Sequence, residues 1–257
     1  MSLIDRLLAL AGVIPPFVLL WLAESFERRV REPTQGFRYR IVFATGMISI
    51  PVAWTERVLA KLVGEGPEPS ATLIEAFVTA AAVEELAKVA CLMLLTRGLL
   101  GPRTRYGAFL YALHAAMGFA LVENVLAMLK VTNMIAFSTR FFLRAYLTVP
   151  MHFVAGGVLG YFWARRRFEA GPIGLAGGLG IAIVIHGGFN AMLLAVERLP
   201  ERYNPLAVAC ALGAMALPLV GLAVLRVLAG RLRSDDNADV TTRGPHERRA
   251  GVQTSSA

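Results

Sequence analysis

Apolar residues fall in seven long runs, near 7–23, 41–63, 71–95, 106–129, 141–164, 172–196 and 205–229, separated by short arginine-, glycine- and proline-bearing segments. A helix rises 1.5 Å per residue and a bilayer core is about 30 Å thick, so runs of this length suit transmembrane helices. The second run is interrupted by Pro51, and Glu56, Arg57 and Lys61 make its end amphipathic. The pattern predicts an all-α polytopic transmembrane helical bundle of about seven spans over residues 1–233. The polar, small-residue remainder, 234–257, is expected to be a disordered tail. Neither an internal repeat nor a separate soluble domain is visible, so any activity has to be built from the spans themselves.

Composition agrees with this reading. The chain of 257 residues is 56% hydrophobic and only 17% charged, with a mean hydropathy of +0.58, which excludes an ordinary soluble domain. The net charge of +8 does not call for nucleic acid, because the arginines cluster between apolar runs, where membrane topology explains them. The segments after spans one, three, five and seven hold 14 lysines and arginines, and the opposite set holds 6. By the positive-inside rule the N-terminus is expected outside and the C-terminal tail in the cytoplasm. The weak basic start (Asp5, Arg6) and Pro15-Pro16 make the first run a retained span rather than a signal peptide. Cys91 and Cys210 lie inside apolar runs and are expected to pack, not to pair.

The departures from apolarity carry the chemistry. Glu84, Glu85 and Lys88 stand in the middle of the third run. Ionisable groups in hydrocarbon are costly, and they usually face a polar cavity, pair and carry function. Lys88 lies four residues after Glu84 and three after Glu85, so it reaches either and serves as their counter-ion. Measured from the outer end of each span, Glu84 and Glu85 lie roughly 20 Å deep, Glu123 and Asn124 about 8–9 Å, His152 about 16 Å, His186 about 15 Å and Asn190 about 9 Å. Four helices therefore place carboxylates, imidazoles and amides in one slab, as a buried polar site between helices requires.

Blander readings exist for each. The Glu84/Glu85/Lys88 set fits a helix-associating ion pair, and a lone intramembrane histidine fits a hydrogen-bonded core residue. Two histidines at the depth of the carboxylates favour function. His152 follows Pro150 and precedes Gly156 and Gly160 at spacings of four, a face that admits a close neighbour. His186 and Asn190 share a face beside Gly187 and Gly188. His114 lies nine residues before Glu123, about 180° round the helix, and Glu75 stands in the same relation to Glu84. Both read as structural or interfacial. Arg144 either snorkels to the headgroups or reaches inward to the carboxylates.

These blocks, Glu84-Glu85-Leu-Ala-Lys88, Gly118-Phe119-Ala-Leu-Val-Glu123-Asn124, Arg144 through Pro150 to His152-x3-Gly156-x3-Gly160, and His186-x3-Asn190, resemble the four signature blocks of the PrsW family. The early Pro15-Pro16 and Glu32-Pro33 are similar to its N-terminal region, so the likeness covers roughly residues 10–195. It implies a bacterial intramembrane protease of the cell (plasma) membrane. Its substrate would be a membrane-anchored protein, in the name-giving member an anti-sigma factor cut on its extracytoplasmic side at the start of a proteolytic cascade. The family is similar to the membrane endopeptidases that include the CAAX-prenyl protease and bacteriocin-processing proteins. On that basis Glu84 and Glu85 match the essential paired glutamates, and Glu123, His152, His186 and Asn190 match the other motif positions.

Peptide hydrolysis needs an activated water, stabilisation of an oxyanion and an acid for the leaving amine. One of Glu84 and Glu85 suits the base, Glu123 or His152 would orient the water, and His186 with Asn190, or Asn124, would act on the carbonyl oxygen. Lys88, Asn124 and Arg144 are supporting. A zinc variant is equally writable from Glu84, Glu85, Glu123, His152 and His186, but no His-Glu-x-x-His is present and spacing gives it no positive support. Cofactor need is thus open between none and zinc. Rival readings are a proton-coupled transporter or channel, which usually shows repeated halves, and a non-catalytic scaffold binding helices through its glycine faces.

Overall fold

The computed structural model describes residues 10–25, 35–63, 68–97, 101–131, 133–169, 171–199 and 204–242. Among them the chain is wholly helical, arranged as seven rods. A 3-10 turn, Leu10–Val13, leads into α1, Ile14–Ser25. Next come α2, Gln35–Val63, and α3, residues 69–95, whose middle, Ile74–Ala82, is a π-helix. They are followed by α4, Arg105–Met128, and α5, Met134–Glu169, which contains a second π segment, Arg144–Thr148. The last two are α6, Gly174–Arg198, and α7, Pro205–Thr242. The seven rods fall on the seven predicted runs. By length and apolarity alone, however, only α4, α5, α6 and α7 qualify as membrane spans, with Leu10–Ser25 a shorter apolar helix. The others fall short for a physical reason: α2 carries Arg38, Arg40, Glu56, Arg57 and Lys61, and α3 carries Glu75, Glu84, Glu85 and Lys88. The chain is a multi-pass membrane protein.

Helix α4 is the axis of the bundle. Residues 106–120 are buried without interruption, and α1, α2, α3, α5 and α7 all pack against it. Its small residues permit this. Gly118 backs onto Val42 and Thr45 of α2, so a side chain there would collide with the Val42 carbonyl. On the other face, Gly156 of α5 sits against Ala116, and a Cβ at Gly160 would stand 2.8 Å from that of Ala112. The glycines after His152 do make a close-packing face.

The far end of the bundle is clasped by charge. The Asp236 carboxylate accepts the backbone amides of Arg105 and Tyr106 at 3.0 and 2.9 Å, satisfying free N–H groups at the positive start of α4. Arg105 also bonds Glu169 and Asp239, each at 2.6 Å, and Arg165 pairs with Glu169 at 2.6 Å. These contacts explain a difference from expectation: α7 does not end at 233 but runs on to Thr242, because its acidic residues have partners. Residues 243–257 of the expected tail lie outside the described residues. Cys91 and Cys210 are free thiols.

Candidate active site

Four helices bring eight of the singled-out side chains into one connected network. Lys88 of α3 is its centre. Its ammonium donates to Glu85 Oε1 at 2.7 Å, to Glu84 Oε2 at 3.2 Å and to His152 Nδ1 at 3.1 Å, which uses all three of its N–H bonds. Nζ also lies 4.4 Å above the Phe119 ring, a cation–π contact that seats the charge without further solvent. Lys88 is 2% exposed, Glu85 and His152 1%, and Glu84 6%.

The hydrogen bonds fix the tautomers. An ammonium can only donate, so His152 Nδ1 accepts and its proton sits on Nε2, which donates to Glu123 Oε2 at 2.8 Å. His186 of α6 donates from Nδ1 to Glu85 Oε1 at 2.8 Å. Its Nε2 faces Glu84 Oε2 at 3.9 Å. The two imidazoles stand edge to face with centroids 4.9 Å apart. Glu85 Oε1 thus serves both Lys88 and His186, whereas Glu84 meets Lys88 alone within hydrogen-bond distance on that side of the site.

Arg144 reaches inward. Its Nη2 donates to Glu123 Oε1 at 2.7 Å and its Nε to Asn124 Oδ1 at 2.5 Å. Asn124 in turn donates to the Gly12 carbonyl at 3.1 Å, so its amide ties the 3-10 turn before α1 to the network. Asn190 lies one turn beyond His186 and is partly buried, but among the described residues no hydrogen bond joins it to the cluster. His114 stays apart as expected: its Nε2 bonds Glu24 at 2.9 Å and its Nδ1 the Leu110 carbonyl at 2.7 Å. Glu75 pairs with Arg198 near the end of α6.

A polar basin of about 470 Å³ opens beside the network. Glu56, Glu75, Thr79, Glu123 and Arg144 are among its lining residues. Glu56 was read from sequence only as part of an amphipathic helix end. In the structure it interacts with both Glu84 and Glu123, and its Oε1 is buried without a hydrogen-bond partner. A signal was present: Thr45, Ser49, Val52 and Glu56 share one helical face, and the first three are buried.

The cluster also carries the donor chemistry of a metal site. Glu84, Glu85, His152 and His186 each offer a ligand atom, and these atoms lie within 4.8 Å of one another. Two imidazole nitrogens with carboxylate oxygens fit zinc in type and spacing. Three of these residues, Glu84, Glu85 and His152, also hold the Lys88 ammonium, so an ion taking the same atoms would displace that side chain.

The model of the "PrsW family intramembrane metalloprotease" matches residues 18–226. Protease PrsW of Geobacillus kaustophilus is 28% identical over 195 residues, covering 73% of this chain and 80% of that protein. No solved structure matches.

Proposed function

The chain belongs to the PrsW family of intramembrane proteases, and on that premise we propose that Glu84, Glu85, His152 and His186 form its peptide-hydrolysing centre. A single observation carries this reading: two carboxylates and two imidazoles from three helices converge within 4.8 Å in a buried site.

In the proposed mechanism Glu85 is the positioning residue and Glu84 the base. Glu85 spends its Oε1 on Lys88 and on His186 Nδ1, which holds the imidazole with Nε2 toward Glu84. The 3.9 Å between that nitrogen and Glu84 Oε2 suits a water within about 2.6–3.2 Å of each. Glu84 takes the proton as the water oxygen bonds to the scissile carbonyl carbon. It then returns the proton to the leaving amine as the C–N bond breaks. Asn190, one turn from His186, donates to the developing oxyanion. Glu123 and Arg144 hold His152, which holds Lys88. The basin supplies water and a path for an unwound substrate segment past Glu123 and Glu56. A zinc ion on Glu84, Glu85, His152 and His186 would supply Lewis-acid polarisation of the carbonyl.

The substrate would be a single-span, membrane-anchored protein of the bacterial plasma membrane, an anti-sigma factor being the class the family likeness suggests. Comparing membrane proteomes of cells carrying the wild type and Glu84→Ala/Glu85→Ala tests this. The expected result is accumulation of an uncut single-span protein in the variant. Identical processing in both strains overturns the reading.

A further inference from the structure

At the other end of α4 from the polar basin, helices α1 and α7 flank a gap whose floor is α4 and α5. The gap is a groove of about 300 Å³, walled by Leu19 and Leu22 of α1, Phe109 of α4, Phe153 of α5, and Leu222 and Leu225 of α7. Its lining is apolar apart from Tyr106 of α4 and two arginines of α7, Arg226 beside Leu225 and Arg233 two turns further on, roughly 10 Å along the helix axis. Tyr106 donates its hydroxyl to the Ala23 carbonyl of α1 at 2.9 Å, and Arg233 stands over its ring at 5.6 Å. The mouth is therefore built, with one arginine held by an aromatic ring and the other exposed on the same helix. It lies at the arginine-rich end of the bundle, where Arg105 and Arg165 make the clasp with α7.

We propose that this groove binds one acyl chain of an anionic phospholipid whose headgroup is held by Arg226 and Arg233. Three observations support that occupant. Leu222 to Arg233 on α7 extends roughly 17 Å along the helix axis at 1.5 Å per residue, close to the depth of one leaflet of a hydrocarbon core about 30 Å thick. A groove of about 300 Å³, open along one side, suits an extended chain laid along it. The two arginines of the groove suit a headgroup phosphate bearing negative charge, through bidentate N–H donation. The site is independent of the peptidase cluster, and occupancy would bridge α1 and α7.

The test uses the full-length protein in detergent, equilibrated with equal amounts of phosphatidylglycerol and phosphatidylcholine of identical chains and read by native mass spectrometry. An arginine near a membrane surface favours an anionic lipid about fivefold. The wild type is thus expected to retain one phospholipid with at least a tenfold preference for phosphatidylglycerol. Arg226→Gln/Arg233→Gln should reduce that preference to about twofold or less. Arg166→Gln/Arg231→Gln, which removes two exposed arginines outside the groove, should keep it. Leu222→Trp, which fills the groove, should lose the retained lipid of either kind. Equal retention of both lipids by the wild type, an unchanged preference in the Arg226/Arg233 variant, or an equal loss in the Arg166/Arg231 variant overturns the proposal. If the Arg226/Arg233 variant does not fold, the wild-type competition and Leu222→Trp still decide it.

Discussion

Glu85 and His186 stand 101 positions apart in the chain and meet through a 2.8 Å hydrogen bond from His186 Nδ1 to Glu85 Oε1. That bond sets the two adjacent glutamates in different surroundings: Glu85 Oε1 is shared by Lys88 and His186, while Glu84 faces the open nitrogen of the same imidazole at 3.9 Å.

The two glutamine variants are therefore expected to differ. Glu84→Gln keeps the shape and removes the base, so cleavage should fall by about 10²–10⁴-fold with little change in thermal unfolding. Glu85→Gln should lose cleavage and also unfold earlier, because it takes the negative charge from Lys88 and His186 and leaves them a weaker, neutral amide oxygen. Reconstituted cleavage of a membrane-anchored substrate, paired with thermal unfolding in detergent, separates them.

Lys88→Met leaves two buried carboxylates without their cation. Breaking a buried pair from one side costs about 3–5 kcal/mol, so the variant should be destabilised by that order in a denaturant titration. A proton-sharing carboxylate pair would relieve part of this, and Lys88→Met/Glu85→Gln should accordingly be more stable than Lys88→Met alone.

Chelation addresses the Lys88 position directly. With the ammonium among the four donor side chains, cleavage should survive dialysis against a chelator, and purified protein should carry well under one zinc per chain by elemental analysis. Loss of cleavage that zinc restores would mean that the ion displaces Lys88.

Arg144 acts through Glu123 and Asn124. In Arg144→Ala, Glu123 loses its guanidinium and His152 its fixed acceptor. A displacement of about 1 Å in such a support costs roughly 10²-fold in rate. Arg144→Lys keeps the charge but not the fork that reaches both residues, and should recover only part of the cleavage. His114→Gln, at the Glu24 contact remote from the cluster, should leave cleavage unchanged.

The helix contacts make a stability prediction. Gly156→Ala places a methyl against Ala116, and overpacking of this kind costs about 1–3 kcal/mol. Gly180→Ala, with nothing within 4 Å of the new methyl, should be neutral or stabilising on the same denaturant titration.

Much of this arrangement was legible from residue spacing. Charges in an apolar run demand partners, and a rise of 1.5 Å per residue was enough to put Glu84, Glu85, His152 and His186 at similar depths. Lys88 as counter-ion followed from its three- and four-residue offsets. What spacing did not give was which side chains are consumed by each other. Asn124 and Asn190 look alike as amide donors in the sequence, but one is bonded on both ends to Arg144 and Gly12. Glu56 was hidden because its helix end also carries Arg57 and Lys61, which read as interfacial. The extension of α7 to Thr242 depended on partners more than 60 residues away, at Arg105 and Arg165, which local polarity does not reveal.

The π segments were also invisible, because a wider turn has no apolar period of its own in so greasy a stretch. Each ends just before a site residue: Ile74–Ala82 precedes Glu84, and Arg144–Thr148 precedes His152. Bonding from i to i+5 puts more than four residues in a turn, so the nine residues from Glu75 to Glu84 make about two turns instead of two and a half. Glu75 consequently lines the basin that contains Glu123 and Arg144, on the side that α-helical counting had turned it away from. A one-residue deletion within either segment would let it relax to ordinary α-helix. The inner half of that rod would keep its place; at Ile74–Ala82, where nine residues in about two turns would become eight at 100° each, the outer half would turn by roughly 80°. The rim of the basin is in this sense set by the length of the chain between two fixed points, and a single lost codon would reshape it while leaving the glutamates and histidines where they are.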